Sequence, residues 1–238
     1  MKTLLIVNVG QPPEQQLEKY GDFEYWAQRA ISDVEITVTL LDGVNNALPD
    51  YDTLAGVIIM GSLSMVTEKA DWMLRLSNNI IELTEKKIPL LGICFGHQLI
   101  AQALGGVVAY NPKGLEIGTV ELERLASASS DPLFEQVPLH FAAQTVHFQS
   151  VQQLPPNAVC LAKSELDDHH AFRTGSCTWG VQFHPEFTSD IMRDSVQGLK
   201  QAIVDDFDSK FEQVNETEQA RQILVRFAQM CKSRTDHH

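Results

Sequence analysis

The chain has 238 residues, 44% of them hydrophobic and 21% charged, enough for one large or two small domains with a sizeable core. Its 18 Lys and Arg against 31 Asp and Glu give a net charge of −13, the wrong sign for a broad footprint on nucleic acid or an anionic membrane. The four cysteines, Cys94, Cys160, Cys177 and Cys231, show neither C-x-x-C pairing nor framework spacing, so they point to no zinc site or disulfide scaffold and fit a reducing, cytoplasmic compartment.

Residues 3–9 are an apolar run far shorter than a membrane span and without a small-residue cleavage site, and they are predicted as a buried strand rather than a targeting signal. Strand-length apolar runs recur at 35–40, 56–60 and 89–93 and have the character of parallel strands buried on both faces. Between them, 23–31 and 73–85 carry apolar residues at helical spacing, and 98–104 follows a strand through a tight turn. This alternation predicts an α/β fold, a mainly parallel central sheet with helices on both faces. The runs at 158–162, 171–173 and 178–183 lie closer together across turn-rich pieces, which predicts an antiparallel part.

After Thr188 the pattern is helical. Val196, Leu199, Ile203, Phe207 and Phe211 make one predicted stripe, and Ala220, Ile223, Leu224, Phe227 and Cys231 a second. The expected organisation is one domain over 1–190 with a helical C-terminal extension over 191–238 packed on it. Residues 233–238 are expected to fray, and His237-His238 is too short a tract for a metal site.

The strongest chemical signal is Gly92-Ile93-Cys94-Phe95-Gly96, at the point where a buried strand passes directly into a helix. It has the form of a nucleophile elbow with Cys in place of Ser, and the helix N-terminus favours the thiolate. A base is offered by His184 in Gln182-Phe183-His184-Pro185-Glu186, at the end of another apolar strand. Glu186, two residues on, shares the side of His184 in extended chain and can hold its tautomer. For a developing oxyanion, the N–H groups of Gly61, where a buried strand breaks into a Gly/Ser loop, and of Phe95 are the expected donors. His97 lies three residues from Cys94 with no carboxylate at two-residue spacing and is expected to be structural. His169 and His170, after Asp167 and Asp168, are expected in an exposed polar turn.

Several ordered motifs between Gly56 and Thr188 resemble the class I, triad-type glutamine amidotransferases, above all the amidotransferase domain of GMP synthase and its stand-alone relatives. They are Gly92 to Gln98, Ala103-Leu104-Gly105-Gly106, Glu116-Ile117-Gly118, Leu154-Pro155-Pro156 and Gly180 to Phe187. The resemblance implies Cys94 as nucleophile, His184 as base and then acid, and Glu186 as the orienting carboxylate. It also implies Gln98 as a substrate-binding residue; as an alternative, Gln98 serves the first turn of its helix. Two places depart from the family pattern. Met60-Gly61-Ser62 stands where Gly-Gly-Pro is usual, and His147-Phe148-Gln149-Ser150 where His-Gly-Asp is common, which places Phe148 and Gln149 in the substrate loop.

The implied reaction is hydrolysis of the glutamine γ-amide through a γ-glutamyl thioester on Cys94, with no metal or organic cofactor. The chain has no G-x-x-x-x-G-K-[ST] motif for ATP-dependent acceptor chemistry, so either a separate synthetase partner receives the ammonia or the protein acts alone as an amidase or peptidase. The alternatives are a γ-glutamyl peptidase-type hydrolase acting on γ-glutamyl peptides or conjugates, and a non-catalytic regulatory subunit.

Overall fold

In the computed structural model, which describes residues 2–204 and 206–235, the buried side chains of the first strands divide between two faces. β1 (Thr3–Asn8) sends Leu4 and Ile6 to one face and Leu5 and Val7 to the other, all inaccessible to solvent. β3 (Leu54–Ile59) also divides, Ala55 and Ile58 against Leu54, Val57 and Ile59, its alternation offset by a register shift beside Leu54. Strands with apolar residues on both faces need a layer on each side, and helices supply both. The first face takes α2 (Phe23–Ala30) and α7 (Glu218–Ser233); the second takes α3 (Asp71–Glu85) and α4 (Phe95–Ala103).

With β2 (Val38–Asp42), β4 (Leu90–Ile93) and β11 (Thr178–Val181), these strands form the parallel part of a nine-stranded sheet, in the order β2-β1-β3-β4-β11. The sheet continues through β10 (Ala171–Thr174), β9 (Val159–Lys163), β6 (Glu116–Arg124) and β7 (His140–His147), each antiparallel to its neighbour. A separate antiparallel pair joins β5 (Val107–Tyr110) to β8 (Gln149–Gln153). The mixed sheet and its two helical layers are the α/β arrangement predicted. Its edge strand β2 begins three residues later than the apolar run at 35–40, because it pairs only with β1 and is half-buried, so apolarity marks its ends weakly.

The C-terminal region differs from expectation. The stripe from Val196 to Phe211 is not one helix: α5 (Ser189–Gly198) ends at Gly198, and α6 (Phe207–Glu212) starts afresh after Asp206, whose φ of 68° is left-handed. A glycine at the end of one helix and a left-handed residue before the next interrupt the pattern. Leu199, Ile203, Phe207 and Phe211 nevertheless pack against the first-face core. α7 lies directly on the sheet; a Cβ on Gly56 would sit 2.3 Å from the Cys231 sulfur. The tract His237-His238 lies outside the described residues. A further short helix, α1 (Glu14–Tyr20), has no counterpart among the predicted elements. Among the described residues no helix is long and apolar enough to cross a membrane.

Candidate active site

β4 runs out at Cys94, whose backbone is held at φ 50°, ψ −100° before α4 begins. A non-glycine residue there carries strain of about 1–3 kcal/mol, sustained only where the surroundings enforce it. The Cys94 N–H donates to the Val181 carbonyl at 2.8 Å, and the Cys94 carbonyl accepts from the Gln98 N–H at 3.1 Å. Both flanking glycines are required by space. A Cβ on Gly92 would lie 2.4 Å from the Gly96 carbonyl carbon, and one on Gly96 would lie 2.3 Å from the Ile59 oxygen. The thiol thus sits at the N-cap of a helix, where the free amides and the dipole favour negative charge.

His184 follows β11, the parallel neighbour of β4, so strand pairing brings the two chemistries to the same sheet end. Its Nδ1 is 2.8 Å from Glu186 Oε1, and its ring stacks on Phe187 with centroids 4.0 Å apart. Both His184 and Glu186 are buried. Burial works against the imidazolium, but the Glu186 carboxylate and then the Cys94 sulfur outweigh it and raise the His184 pKa to about 10. The other ring nitrogen, Nε2, is buried without a hydrogen-bond partner in the protein, which leaves it for the sulfur or a ligand.

Gly61 lies against both residues: a Cβ there would be 3.0 Å from His184 Cε1 and 3.7 Å from Cys94 Cβ. The Phe95 amide is the first of α4 and has no intrahelical acceptor. Where the family pattern has proline, Ser62 holds the loop by other means. Its hydroxyl donates to the Val9 carbonyl at 2.8 Å and accepts from the Ser64 N–H at 3.1 Å.

Cys94 and His184 open onto a cavity of about 840 Å3, lined also by Gln98, Phe148 and Gln149, by the loop from Ser62 to Met65, and by residues of α1 and α5. The volume is at the large end for a small-molecule site. The Gln98 amide nitrogen is committed twice, donating to the Gln149 carbonyl at 2.7 Å and to Gln182 Oε1 at 2.9 Å. Gln149 Nε2 donates to Thr67 Oγ1 at 2.7 Å, while its Oε1 is buried without a partner. For a further bond the Gln98 amide therefore has only its oxygen, an acceptor, left. Gln182, which sequence reasoning passed over, is fully buried and donates from Nε2 to Cys94 Sγ at 3.4 Å. The available signal was its place two residues before His184, on the same side of an extended chain.

The histidines away from the triad divide. His97 is buried against Phe172, and burial together with nearby His170 keeps its pKa well below the ordinary value, so it is neutral. His169 is partly buried, its Nδ1 2.7 Å from the Val151 carbonyl. The exposed polar turn expected at 169–170 is corrected at His170, which is fully buried with Nε2 2.8 Å from Glu116 Oε2. The same oxygen takes His147 Nε2 at 2.8 Å, and Ser164 donates to the other carboxylate oxygen at 2.6 Å. The partner that draws His170 inward lies 54 residues away in sequence. Burial would raise the Glu116 pKa, but the two imidazoles outweigh it and hold the carboxyl well below its usual range. The three donor atoms lie within 4.8 Å of one another, a spacing compatible with a metal. Each imidazole nitrogen is nonetheless at hydrogen-bond distance from the carboxylate, so an ion-pair network accounts for the cluster.

A family model described as glutamine amidotransferase class-I matches residues 17–203. The chain belongs to this family. Gamma-glutamyl peptidase 4 of Arabidopsis thaliana is 33% identical over 159 residues, 66% of this chain, and the match spans 63% of that relative, less than two thirds of its length. Gamma-glutamyl peptidase 3 of the same plant is 30% identical over 202 residues, 82% of this chain and 79% of the relative. A glutamine-hydrolyzing GMP synthase subunit of Archaeoglobus fulgidus is 31% identical over 170 residues, 70% of this chain and 85% of the relative. Among solved structures, a glutamine amidotransferase from Thermotoga maritima shares the fold of this amidotransferase-family chain, with a TM-score of 0.76 at 21% identity over 98% of this chain and 99% of that one.

Proposed function

We propose that this chain hydrolyses γ-glutamyl amides through a thioester on Cys94, with His184 as base and acid, Glu186 as its orienting carboxylate, and the amides of Gly61 and Phe95 as oxyanion donors. The observation that carries the reading is a strained cysteine at a helix N-terminus beside a buried imidazole–carboxylate pair, all facing one cavity. The thiolate adds to the γ-carbonyl carbon, and the carbonyl electron pair moves to oxygen, where the two amides receive it. Collapse re-forms the carbonyl and breaks the C–N bond, the departing amine taking its proton from His184. Water then adds to the thioester while His184 accepts a proton, and expulsion of the sulfur releases glutamate. The Oε1 atoms of Gln98 and Gln149 suit a donor on the substrate, such as the α-ammonium of a glutamyl group.

The volume of the cavity, lined by α1 and α5 as well as by Cys94, favours a leaving amine larger than ammonia, in keeping with the peptidase relatives. With glutamine as substrate, the ammonia would pass to a synthetase on a separate chain, in keeping with the GMP synthase subunit among the relatives. The test is glutamate release from glutamine and from a γ-glutamyl dipeptide. The wild type is expected to release glutamate and Cys94→Ala none, and the higher kcat/KM names the substrate class. Full activity in folded Cys94→Ala would overturn the reading.

A further inference from the structure

A continuous buried hydrogen-bond chain leads from Glu116 to the nucleophilic sulfur, and every link in it has a fixed direction. Glu116 Oε2 accepts from His147 Nε2 at 2.8 Å, and the opposite nitrogen, Nδ1, is 2.9 Å from the Gln149 carbonyl. Both neighbours of that ring are acceptors, so both of its nitrogens donate. The Gln149 carbonyl, which can only accept, also takes a bond from Gln98 Nε2 at 2.7 Å, and this decides which way the Gln98 amide faces. The second hydrogen on the same nitrogen goes to Gln182 Oε1 at 2.9 Å and so decides the Gln182 amide in turn. What remains to Gln182 is its NH2 group, and this is the end that meets Cys94 Sγ at 3.4 Å. Turned the other way, Gln182 would present an oxygen lone pair to the sulfur.

We propose that Gln182 is a further catalytic residue, whose amide N–H stabilises the Cys94 thiolate, that Gln98 is a positioning residue that fixes the polarity of that contact, and that the Glu116–His147 pair holds in place the carbonyl to which Gln98 is bonded. The inference rests on Cys94 acting as nucleophile. Hydrogen bonds to the charged form of a group favour that form, and the Gln182 side chain is itself buried, so its N–H is not shared with water. The Glu116 cluster, otherwise remote from the chemistry, then has a stated task. It anchors the carbonyl at Gln149, from which the direction of the remaining bonds follows.

The test follows alkylation of Cys94 by iodoacetamide against pH, read by mass spectrometry on the peptide that carries it. The other thiols do not confuse this measurement, because the readout is specific to one peptide and burial raises the pKa of Cys160, to about 11, and of Cys231. In Gln182→Met, which keeps the volume and removes the donor, the alkylation midpoint is expected to rise by about one pH unit, so that alkylation near neutral pH is about tenfold slower. The acid limb of kcat/KM is expected to move with it while KM holds. Gln98→Met, which frees the Gln182 amide to turn, is expected to move the midpoint in the same direction by less. Circular dichroism and thermal melts establish that each variant is folded, and if Gln182→Met does not fold, Gln98→Met carries the decision alone. An unchanged midpoint in a folded variant overturns the proposal. A wild type that releases no glutamate from any γ-glutamyl compound, yet whose midpoint still rises in Gln182→Met, would sink the hydrolase reading and leave the thiolate contact standing.

Discussion

Replacing Glu186 by glutamine removes one negative charge and nothing in volume, and the structure states what that should do. The carboxylate is the largest of the influences that lift the His184 pKa from 6.5 to about 10 against the opposing effect of burial, a combined change in protonation on the order of a thousandfold. Loss of the charge should move the basic limb of the pH–activity profile from near 10 toward 6.5. The amide also ends the enforcement of one tautomer. Glu186 Oε2 has no partner in the protein, so nothing dictates which end of the introduced amide faces Nδ1. With NH2 there, the imidazole carries its proton on Nε2 and cannot act as a base toward sulfur or water. In triads of this logic, loss of the orienting carboxylate lowers kcat by about 10^4, and a fall of at least about 10^3 is expected in Glu186→Gln. The assay is steady-state glutamate release between pH 5 and 10, beside thermal melts to establish folding. Activity within about tenfold of wild type near neutral pH, with the basic limb unmoved, would refute the reasoning.

Two other outcomes test separate parts of the account. Cys94→Gly should abolish glutamate release yet be more stable than Cys94→Ala by about 1–3 kcal/mol, because glycine adopts the φ of 50° without strain; a lower denaturation midpoint than that of Cys94→Ala would contradict the strained elbow. Glu116→Gln leaves two buried imidazoles without their anion and should cost about 3–5 kcal/mol at pH 7. Because the folded Glu116 pKa lies below its ordinary 4.5, its contribution is full above 4.5 and is lost as pH falls further. Urea titrations at pH 7 and at a series of pH values below 4.5 should therefore show the gap between the two proteins narrowing as pH falls, and a constant gap across that series would show that Glu116 is not the titrating partner.

The parallel strands were legible because β1, β3 and β4 are apolar on both faces, so a continuous run marks each of them. β6 and β7 were not, since Glu116–Arg124 and His140–His147 mix charged and polar residues that pair across an antiparallel ladder. Their apolar content stays below the level at which periodicity speaks. α1 is hidden for a related reason, having seven residues of which Leu17 and Tyr20 alone are apolar or aromatic. At the site, Cys94, His184 and Glu186 announce themselves through local spacing. Gln182 and His170 do not, because what gives each its meaning is a partner 88 or 54 residues distant, and only the folded sheet sets them side by side.

The cavity is lined in part by α1 and α5, clasped by Gln16 donating to Ser195 and by Lys19 pairing with Asp194. Neither helix contributes to the elbow or to the imidazole–carboxylate pair. If the proposed reaction holds, the groups that cut the bond and the room given to the leaving amine lie in separate pieces of the molecule, so that substitutions in α1 and α5 would alter which amine leaves without touching Cys94, His184 or Glu186.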